Sequence, residues 1–287
     1  EQILPPRINL PSLEKNVLEL RALKDFFRTG LVWGLAILAS IPLVSVIYML
    51  IMEGGARLDF EAITALPPAG FETGGGFGNA IVGTLTMVGI ASALSIPIGT
   101  MAALYLAILN PNSKTATVSR FLAKVLTGFP SILAGVFVYA VIVITTGTYS
   151  AWAGGVALAV LMLPTVTLAA EEAMKQVPQR MKDAAFGMGC TRTQVIFKVV
   201  LPTALPGIMT GVILAVAGAA GESAPLLFTA LFSNYYMSEL SILIYNFSGM
   251  PFENQIELAW TASLALVLLV LFFNIVARVV GRTKFKE

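Results

Sequence analysis

Apolar residues in this chain fall into long uninterrupted runs, with the polar residues gathered between them. A single helix needs about 20 consecutive apolar residues to cross a bilayer. The pattern therefore predicts an all-α integral membrane protein with six transmembrane helices, all within one transmembrane domain at 30–287. Proline and glycine blur the ends of the third and fifth runs. The predicted spans cover residues 30–52, 80–109, 122–144, 151–170, 205–221 and 258–280.

Residues 1–29 show a different pattern and form a separate N-terminal tail. Prolines among residues 1–11 predict an extended start, and Ser12 can cap a helix that runs to Arg28. Leucines and Val17 line one side of that helix, and charged residues line the other. This pattern predicts an amphipathic helix on the cytoplasmic membrane surface, with binding to a partner as the alternative. The first apolar run starts too late, and is too long, for a cleaved signal peptide.

Composition and charge agree with membrane insertion and give it a direction. Apolar residues make up 57% of the 287 residues and charged residues only 12%, which excludes an ordinary soluble domain. Of the 18 lysines and arginines, Arg57 alone falls in a predicted outer segment, and the others lie in the tails and loops of the opposite side. Because loops rich in Lys and Arg stay in the cytoplasm, both termini and segment 171–202 are predicted to be cytoplasmic.

Segment 171–202 is a polar island between two apolar runs, and its residues suit docking to a soluble protein. Pro178 can open a helix, because the missing N–H costs nothing in the first turn. Ala184 and Ala185 keep one helix face thin, and Gly189 suits a C-terminal stop that needs positive φ. A short helix of this kind fits a groove in a partner. An ordinary amphipathic loop is the alternative.

The spacing within this island resembles the EAA loop, the cytoplasmic docking signature of ABC-importer permeases. Asp183-Ala184-Ala185 is followed by Gly189 and, after nine residues, by Val199-x-Leu201-Pro202. Asp stands here in place of Glu, and Val in place of Ile. The resemblance implies a cytoplasmic coupling helix that joins the permease to partner ATPases. The residues it assigns to this role are Asp183, Ala184, Ala185, Gly189, Leu201 and Pro202.

Three further stretches resemble the PstA family, the permease subunits of phosphate ABC importers of the PstSCAB type. They are Gly221–Ala230, Ile244–Glu253 and Glu257–Trp260, and the likeness extends over about residues 30–282. It implies a type I ABC importer permease fold in a bacterial plasma (inner) membrane, with this chain forming half of the translocation path. The implied partners are a homologous second permease (PstC-like), two ATPase subunits (PstB-like) and an extracytoplasmic phosphate-binding protein (PstS-like).

The fifth apolar run ends at Glu222, where a carboxylate abuts or enters the hydrocarbon. An ionised carboxylate at mid-bilayer costs roughly 2.5–3.5 kcal/mol on insertion scales, so such a residue faces the bundle interior. We therefore expect Glu222, Ser223 and Pro225 to contribute to a translocation path or gate. The alternative is a solvated charge at a helix end.

Two glycine-containing stretches are also predicted to be irregular. Residues 128–131 interrupt the third run, and this break either lines the substrate path or is a packing kink. The glycine-rich segment 73–78 lacks the lysine of a phosphate-binding loop and is predicted to be a flexible linker.

Some residues limit the assignment. PstA-like sequences often carry Arg where this chain has Leu168 and Gly218, so molybdate, tungstate or sulfate stays an alternative to phosphate.

The chain has no His, a single cysteine at Cys190 and no P-loop motif. We therefore expect a non-catalytic transport subunit without cofactor, metal or intrachain disulfide. A passive channel, or an intramembrane enzyme using Glu222 with Ser223, is the remote alternative.

Overall fold

A computed structural model describes residues 20–233 and 237–282, with side chains for 24–233 and 237–275. Every regular element within these ranges is a helix. Five of the helices are long and apolar enough to cross a membrane, or six if one bent pair counts as a single span. The protein is thus an all-helical integral membrane protein, as the apolar runs predict.

The first helix, α1, spans Leu20–Gly54 and contains Pro42. The predicted boundary between the tail and the first span, at residue 29, falls inside this helix. Gly30 does not break it, because one glycine in a helix interior costs only about 1 kcal/mol relative to alanine. The extended start predicted for residues 1–11 and the first part of the predicted amphipathic helix, residues 12–19, lie outside the described residues.

A short helix and an ordered loop follow before the second span. Helix α2, Phe60–Thr64, is capped by Asp59, whose carboxylate accepts a hydrogen bond from the Ala62 N–H at 2.7 Å. The loop then leads into α3, Gly78–Leu109, whose last turn from Tyr105 is a π-helix.

The glycine-rich segment 73–78 is not a flexible linker, so this prediction is wrong. Gly74 and Gly75 adopt φ of 78° and 75°, a region that few other residues enter. The Gly76 N–H donates to the Leu66 carbonyl at 3.0 Å, and the Phe77 N–H donates to the Ala62 carbonyl at 2.7 Å. These backbone hydrogen bonds fold the segment against α2. No local sequence pattern indicates this packing.

The third predicted span, 122–144, is not one helix. It consists of helix α4, Lys114–Thr127, and helix α5, Ser131–Thr146, and the chain bends by 104° between them. Pro130 explains the break, because it has no N–H to donate and it disfavours helical geometry at Phe129. Helix α5 is about 24 Å long at 1.5 Å per residue, somewhat less than a hydrocarbon core of about 30 Å.

The fourth and fifth predicted spans both extend into the polar island. Helix α6 runs over Ala151–Lys175, and α8 runs without interruption over Arg192–Gly221. Between them lies only α7, Gln179–Gly187. Segment 171–202 is therefore not a single loop: its two ends are the ends of long helices, and only residues 176–191 connect them.

Helix α6 lies at the centre of the core and packs against α3 and α8. Leu158 and Met162 are fully buried there, together with Met87 of α3. A Cβ on Gly211 of α8 would lie 2.3 Å from the Ala169 side chain of α6. Small residues thus let the two helices approach closely, as they do in membrane interiors.

The segment between α8 and the last helix packs on the spans instead of forming a simple loop. It contains α9, Leu226–Thr229, and α10, Leu240–Ser248, and it leads to α11, Glu253–Arg282. Leu226 and Phe247 are buried at 0% and 1% exposure. The apolar character of this segment is explained by these contacts.

Candidate coupling helix and translocation site

Helix α7 begins directly after Pro178, which is its N-cap residue. Asp183 is exposed and accepts a hydrogen bond from the Gln179 side-chain amide one turn earlier, at 2.9 Å. Ala185 is 2% exposed and turned into the protein, whereas Ala184 is exposed. The two alanines therefore serve different faces: Ala185 packs α7 onto its own chain, and Ala184 leaves the outer face thin.

The end of α7 is a Schellman motif, which closes a helix with a residue in the left-handed region. Gly189 has φ of 80°, so the expectation of a positive-φ stop is confirmed. The Cys190 N–H donates to the Ala185 carbonyl at 3.1 Å, and the Gly189 N–H donates to the Phe186 carbonyl at 2.9 Å. This pair of hydrogen bonds defines the motif and fixes the direction in which the chain leaves α7.

Apolar side chains on and beside α7 are exposed, and the sequence analysis missed them. Met181, Phe186 and Met188 are 43%, 47% and 78% exposed. Exposed apolar side chains grouped on a short polar helix are typical of a protein-docking surface, and methionine adapts readily to a partner. Their position inside a polar island was the signal that could have identified them.

Leu201 and Pro202 do not lie in a loop, because α8 already includes them. Pro202 has no N–H for the helical ladder, and the preceding turn, Ile196–Val200, widens into a π-helix. Thr191 starts α8 with a capping box: its hydroxyl accepts from the Gln194 N–H, and the Gln194 side chain accepts from the Thr191 N–H. The residues predicted to couple are thus divided among α7, the turn at Gly189 and the first part of α8.

A buried ion-pair network lies beside the coupling region and was not predicted. Glu171, near the end of α6, is 3% exposed and binds Arg120 of α4 at 2.5 Å and Lys175 at 2.7 Å. Arg120 also donates to the carbonyls of Pro111 and Leu106, at 2.9 Å and 2.6 Å. One guanidinium therefore joins α3, α4 and α6 at the end of the bundle that carries α7.

A second arginine, which follows α7 in the sequence, makes a similar contact. Arg192, in the first turn of α8, donates to the carbonyls of Ile108 and Leu109 at 2.8 Å and 2.7 Å. These carbonyls end α3 and lack helical partners there. In the sequence, these two arginines indicated only the topology, because their acceptors lie too far along the chain to be inferred from spacing.

The predicted path residues lie at the opposite end of α8. Glu222 is the C-cap residue of that helix and is half-buried, and its carbonyl accepts from the Ser241 hydroxyl at 3.2 Å. Pro225 is buried against α5, where a Cβ on Gly135 would lie 2.4 Å from the Pro225 carbonyl oxygen. Ser223 is half-buried, and its carbonyl accepts from the Leu226 N–H at 3.1 Å.

A cavity of about 200 Å³ lies between the α4–α5 break, α6 and α8, with Glu222 in its wall. Ser131, Thr127 and Thr165 supply hydroxyl groups, and Gly218 leaves room on the α8 side. No lysine or arginine is among the cavity-lining residues in the part of the chain that the structure describes. The break in the third run therefore borders a cavity with polar groups in its wall, and the two alternatives for residues 128–131, substrate path or packing kink, both stay predictions.

The geometry separates the candidate residues into two sites joined by one helix. From Leu201 to Glu222, α8 covers about 30 Å at 1.5 Å per residue, so the coupling region and the cavity are at its two ends. Helix α8 is thus the element that connects the two regions.

Comparison with known proteins assigns this chain to a family. The model of the family described as "Binding-protein-dependent transport system inner membrane component" matches residues 95–286. The chain belongs to this family. It is 37% identical to the phosphate transport system permease protein PstA of Pasteurella multocida, over 95% of each chain. It is 38% identical to a probable PstA of Methanocaldococcus jannaschii, over 89% of this chain and 92% of that one.

A solved structure confirms the fold class. The chain superposes on a chain of the MetNI methionine ABC transporter, in an inward-facing conformation, with a TM-score of 0.62 at 22% identity. The match covers 73% of this chain and 96% of that one. The fold is therefore the ABC importer permease fold that the EAA-like spacing implies.

Proposed function

We propose that this chain is a transmembrane permease subunit of an ATP-driven ABC importer for inorganic phosphate. It forms half of the translocation pathway and couples that pathway to partner ATPases. The similarity to PstA permeases over nearly the whole chain carries this proposal.

Helix α7 is the element that docks on an ATPase subunit. Its exposed thin face at Ala184, its exposed side chains at Met181 and Phe186, and its defined end at Gly189 support this role. An amphipathic helix of this size binds by inserting its apolar side chains into a groove. The chain itself is not an enzyme, and ATP is hydrolysed by two PstB-like subunits.

The remaining partners follow from the same proposal. A PstC-like permease completes the path, and a PstS-like protein delivers phosphate on the extracytoplasmic side. The chain lies in a bacterial plasma membrane with both termini in the cytoplasm, because nearly all of its lysines and arginines fall on one predicted side.

The cavity beside Glu222 is the part of the path that this chain contributes. A carboxylate has the wrong sign to attract an anion, and the cavity wall offers hydroxyl groups but no cation in the described residues. The positive charge that attracts phosphate therefore comes mainly from the partner permease. Glu222 forms a gate or interface ion pair with a cation of that partner.

Another oxyanion is the second candidate, and one observation favours it. Gly218 lines the cavity at a position where the family often has arginine, and Leu168 replaces a second such arginine. Molybdate, tungstate and sulfate differ from phosphate in charge and in protonation, so the set of cations around the path discriminates among them.

Reconstitution of the complete transporter tests both candidates. Its binding protein is loaded in turn with phosphate, sulfate, molybdate or tungstate, and ATP hydrolysis and uptake are measured. Stimulation by phosphate alone supports the proposal, and stimulation by another oxyanion alone replaces it. A chain that fails to co-purify with an ATPase would indicate a passive channel or an intramembrane enzyme instead.

A further inference from the structure

The segment just before α10 is seated tightly on α3. Ser238, Glu239 and Leu240 are all 0% exposed. The Leu240 N–H donates to the Thr84 hydroxyl at 3.0 Å, and the Ser238 carbonyl oxygen lies 1.6 Å from where a Cβ on Gly83 would be. These contacts bring two parts of the chain together that are more than 150 residues apart.

Glu239 is unusual here because, within the described residues, no lysine or arginine forms a salt bridge with it. Neither carboxylate oxygen has a hydrogen-bond partner within the described residues. Glu239 also lies outside the helices that are long enough to span a membrane. A buried carboxylate without a partner is costly when ionised, and the usual outcome is that it keeps its proton.

The charged groups around Glu239 favour its neutral form. Burial raises the pKa of the Glu239 carboxyl well above its ordinary value; the nearby Ser241 works against this rise, and the Glu222 carboxylate adds to it. From α3 the segment meets Gly83 and Thr84, which carry no charge.

The acidic residues of α11 do not alter this balance. Glu253 is exposed, and Glu257 is 3.5 Å from Arg57, which compensates its charge. Neither of them acts on the Glu239 carboxyl. Within the described residues, Glu222 is therefore the charged group that matters to Glu239, and it has the same sign.

We propose that Glu239 is a proton-binding site that latches this segment onto α3. The carboxyl holds its proton while the segment is seated, and it releases the proton to water when the segment lifts. The latch depends on Glu239, Glu222 and α3, and it does not depend on which anion the protein transports.

The direction of the pH effect follows from linkage. The seated state binds the proton more tightly than the lifted state, in which Glu239 has its ordinary pKa. The segment is therefore held most firmly at acidic pH. As the pH rises from the ordinary pKa to the raised one, the lifting equilibrium increases by up to about tenfold per pH unit. Above the raised pKa there is no further change.

Hydrogen exchange on the full chain in lipid nanodiscs tests the latch. The readout is the protection factor of the Leu240 and Leu243 amides, which already corrects for intrinsic exchange at each pH. The Leu240 amide reports the contact with α3, because its acceptor is the Thr84 hydroxyl. The Leu243 amide reports the first turn of α10, because its acceptor is the Glu239 carbonyl. In the unmodified chain, protection falls as the pH rises from the ordinary pKa of a glutamate carboxyl to the raised pKa of Glu239.

Variants distinguish proton binding by Glu239 from a general loss of stability in this segment. Glu239→Gln keeps a neutral, isosteric side chain, so its protection should stay high and independent of pH. Glu222→Gln removes the like charge, so the fall should be complete at a lower pH. Glu253→Gln, an exposed carboxylate on α11, is the matched control and should behave like the unmodified chain.

Two results would overturn the proposal. One is a pH-independent protection factor in the unmodified chain, a measurement that needs no variant to fold. The other is a segment loosened at every pH in Glu239→Gln, which would show that an ionised carboxylate pairs there with a cation.

Discussion

A substitution of Gly83 directly tests the close contact between α3 and the segment that precedes α10. A Cβ at this position would lie 1.6 Å from the Ser238 carbonyl oxygen, and the nearby atoms are backbone. Gly89, on the same helix, has nothing within 4 Å of its Cβ position. The substitutions Gly83→Ala and Gly89→Ala therefore make the same chemical change in one helix, with and without a clash.

The expected magnitude follows from the geometry. Cβ atoms essentially never approach another heavy atom closer than 3.0 Å, so the Ser238 backbone would have to retreat by about 1.4 Å. Overpacking of this kind typically costs about 1–3 kcal/mol. In Gly89→Ala, removing a helical glycine is worth up to about 1 kcal/mol in the opposite direction. The two variants should thus differ in the sign of their effect on the free energy of unfolding.

Thermal unfolding and hydrogen exchange of the purified chains would measure this difference. Gly83→Ala should unfold at a lower temperature than the unmodified chain, and its Leu240 amide should lose protection. Gly89→Ala should match or exceed the unmodified chain in both measurements. Equal stability and equal Leu240 protection in the two variants would refute the close approach of Ser238 to α3.

Four further outcomes are expected. Arg120→Ala should destabilise the protein by about 1–3 kcal/mol in thermal or chemical unfolding, because the buried Glu171 would lose one of its two cationic partners and keep only Lys175. A change below about 1 kcal/mol, the range of surface pairs, would contradict a buried role. Ala184→Trp should leave the protein in the membrane but abolish both ATPase co-purification and transport, and normal transport would exclude docking by α7. If Glu222 forms an ion pair, Glu222→Gln should reduce transport as strongly as Glu222→Ala. If Glu222 is a neutral hydrogen-bond donor, Glu222→Gln should keep most of the transport. Normal uptake by both variants would show that Glu222 is a solvated charge at a helix end. Cys190 should react with a membrane-impermeant thiol reagent in inverted vesicles but not in intact cells, and the reverse pattern would overturn the topology.

The structure also shows where reasoning from local pattern was sufficient. Gly189 ends α7 with positive φ because glycine alone enters that region at little cost, a property of the residue itself. The long apolar runs predicted the membrane helices, because a bilayer responds to summed side-chain hydrophobicity whatever the partners of each helix. The predictions failed at the third run, where Pro130 turns the chain by 104°, and at segment 73–78, where distant backbone groups order the glycines.

The amino-acid sequence by itself therefore determined the membrane class, five of the apolar helices and the spacing of the predicted coupling residues, because these depend on residues close together in the chain. Only the tertiary structure decided which charges are buried and with what. Arg120 meets Glu171 across 51 residues, and the Leu240 amide meets Thr84 across 156, next to the fully buried Glu239. The cost of burying a charge depends on the neighbours that folding supplies, and no local pattern contains them.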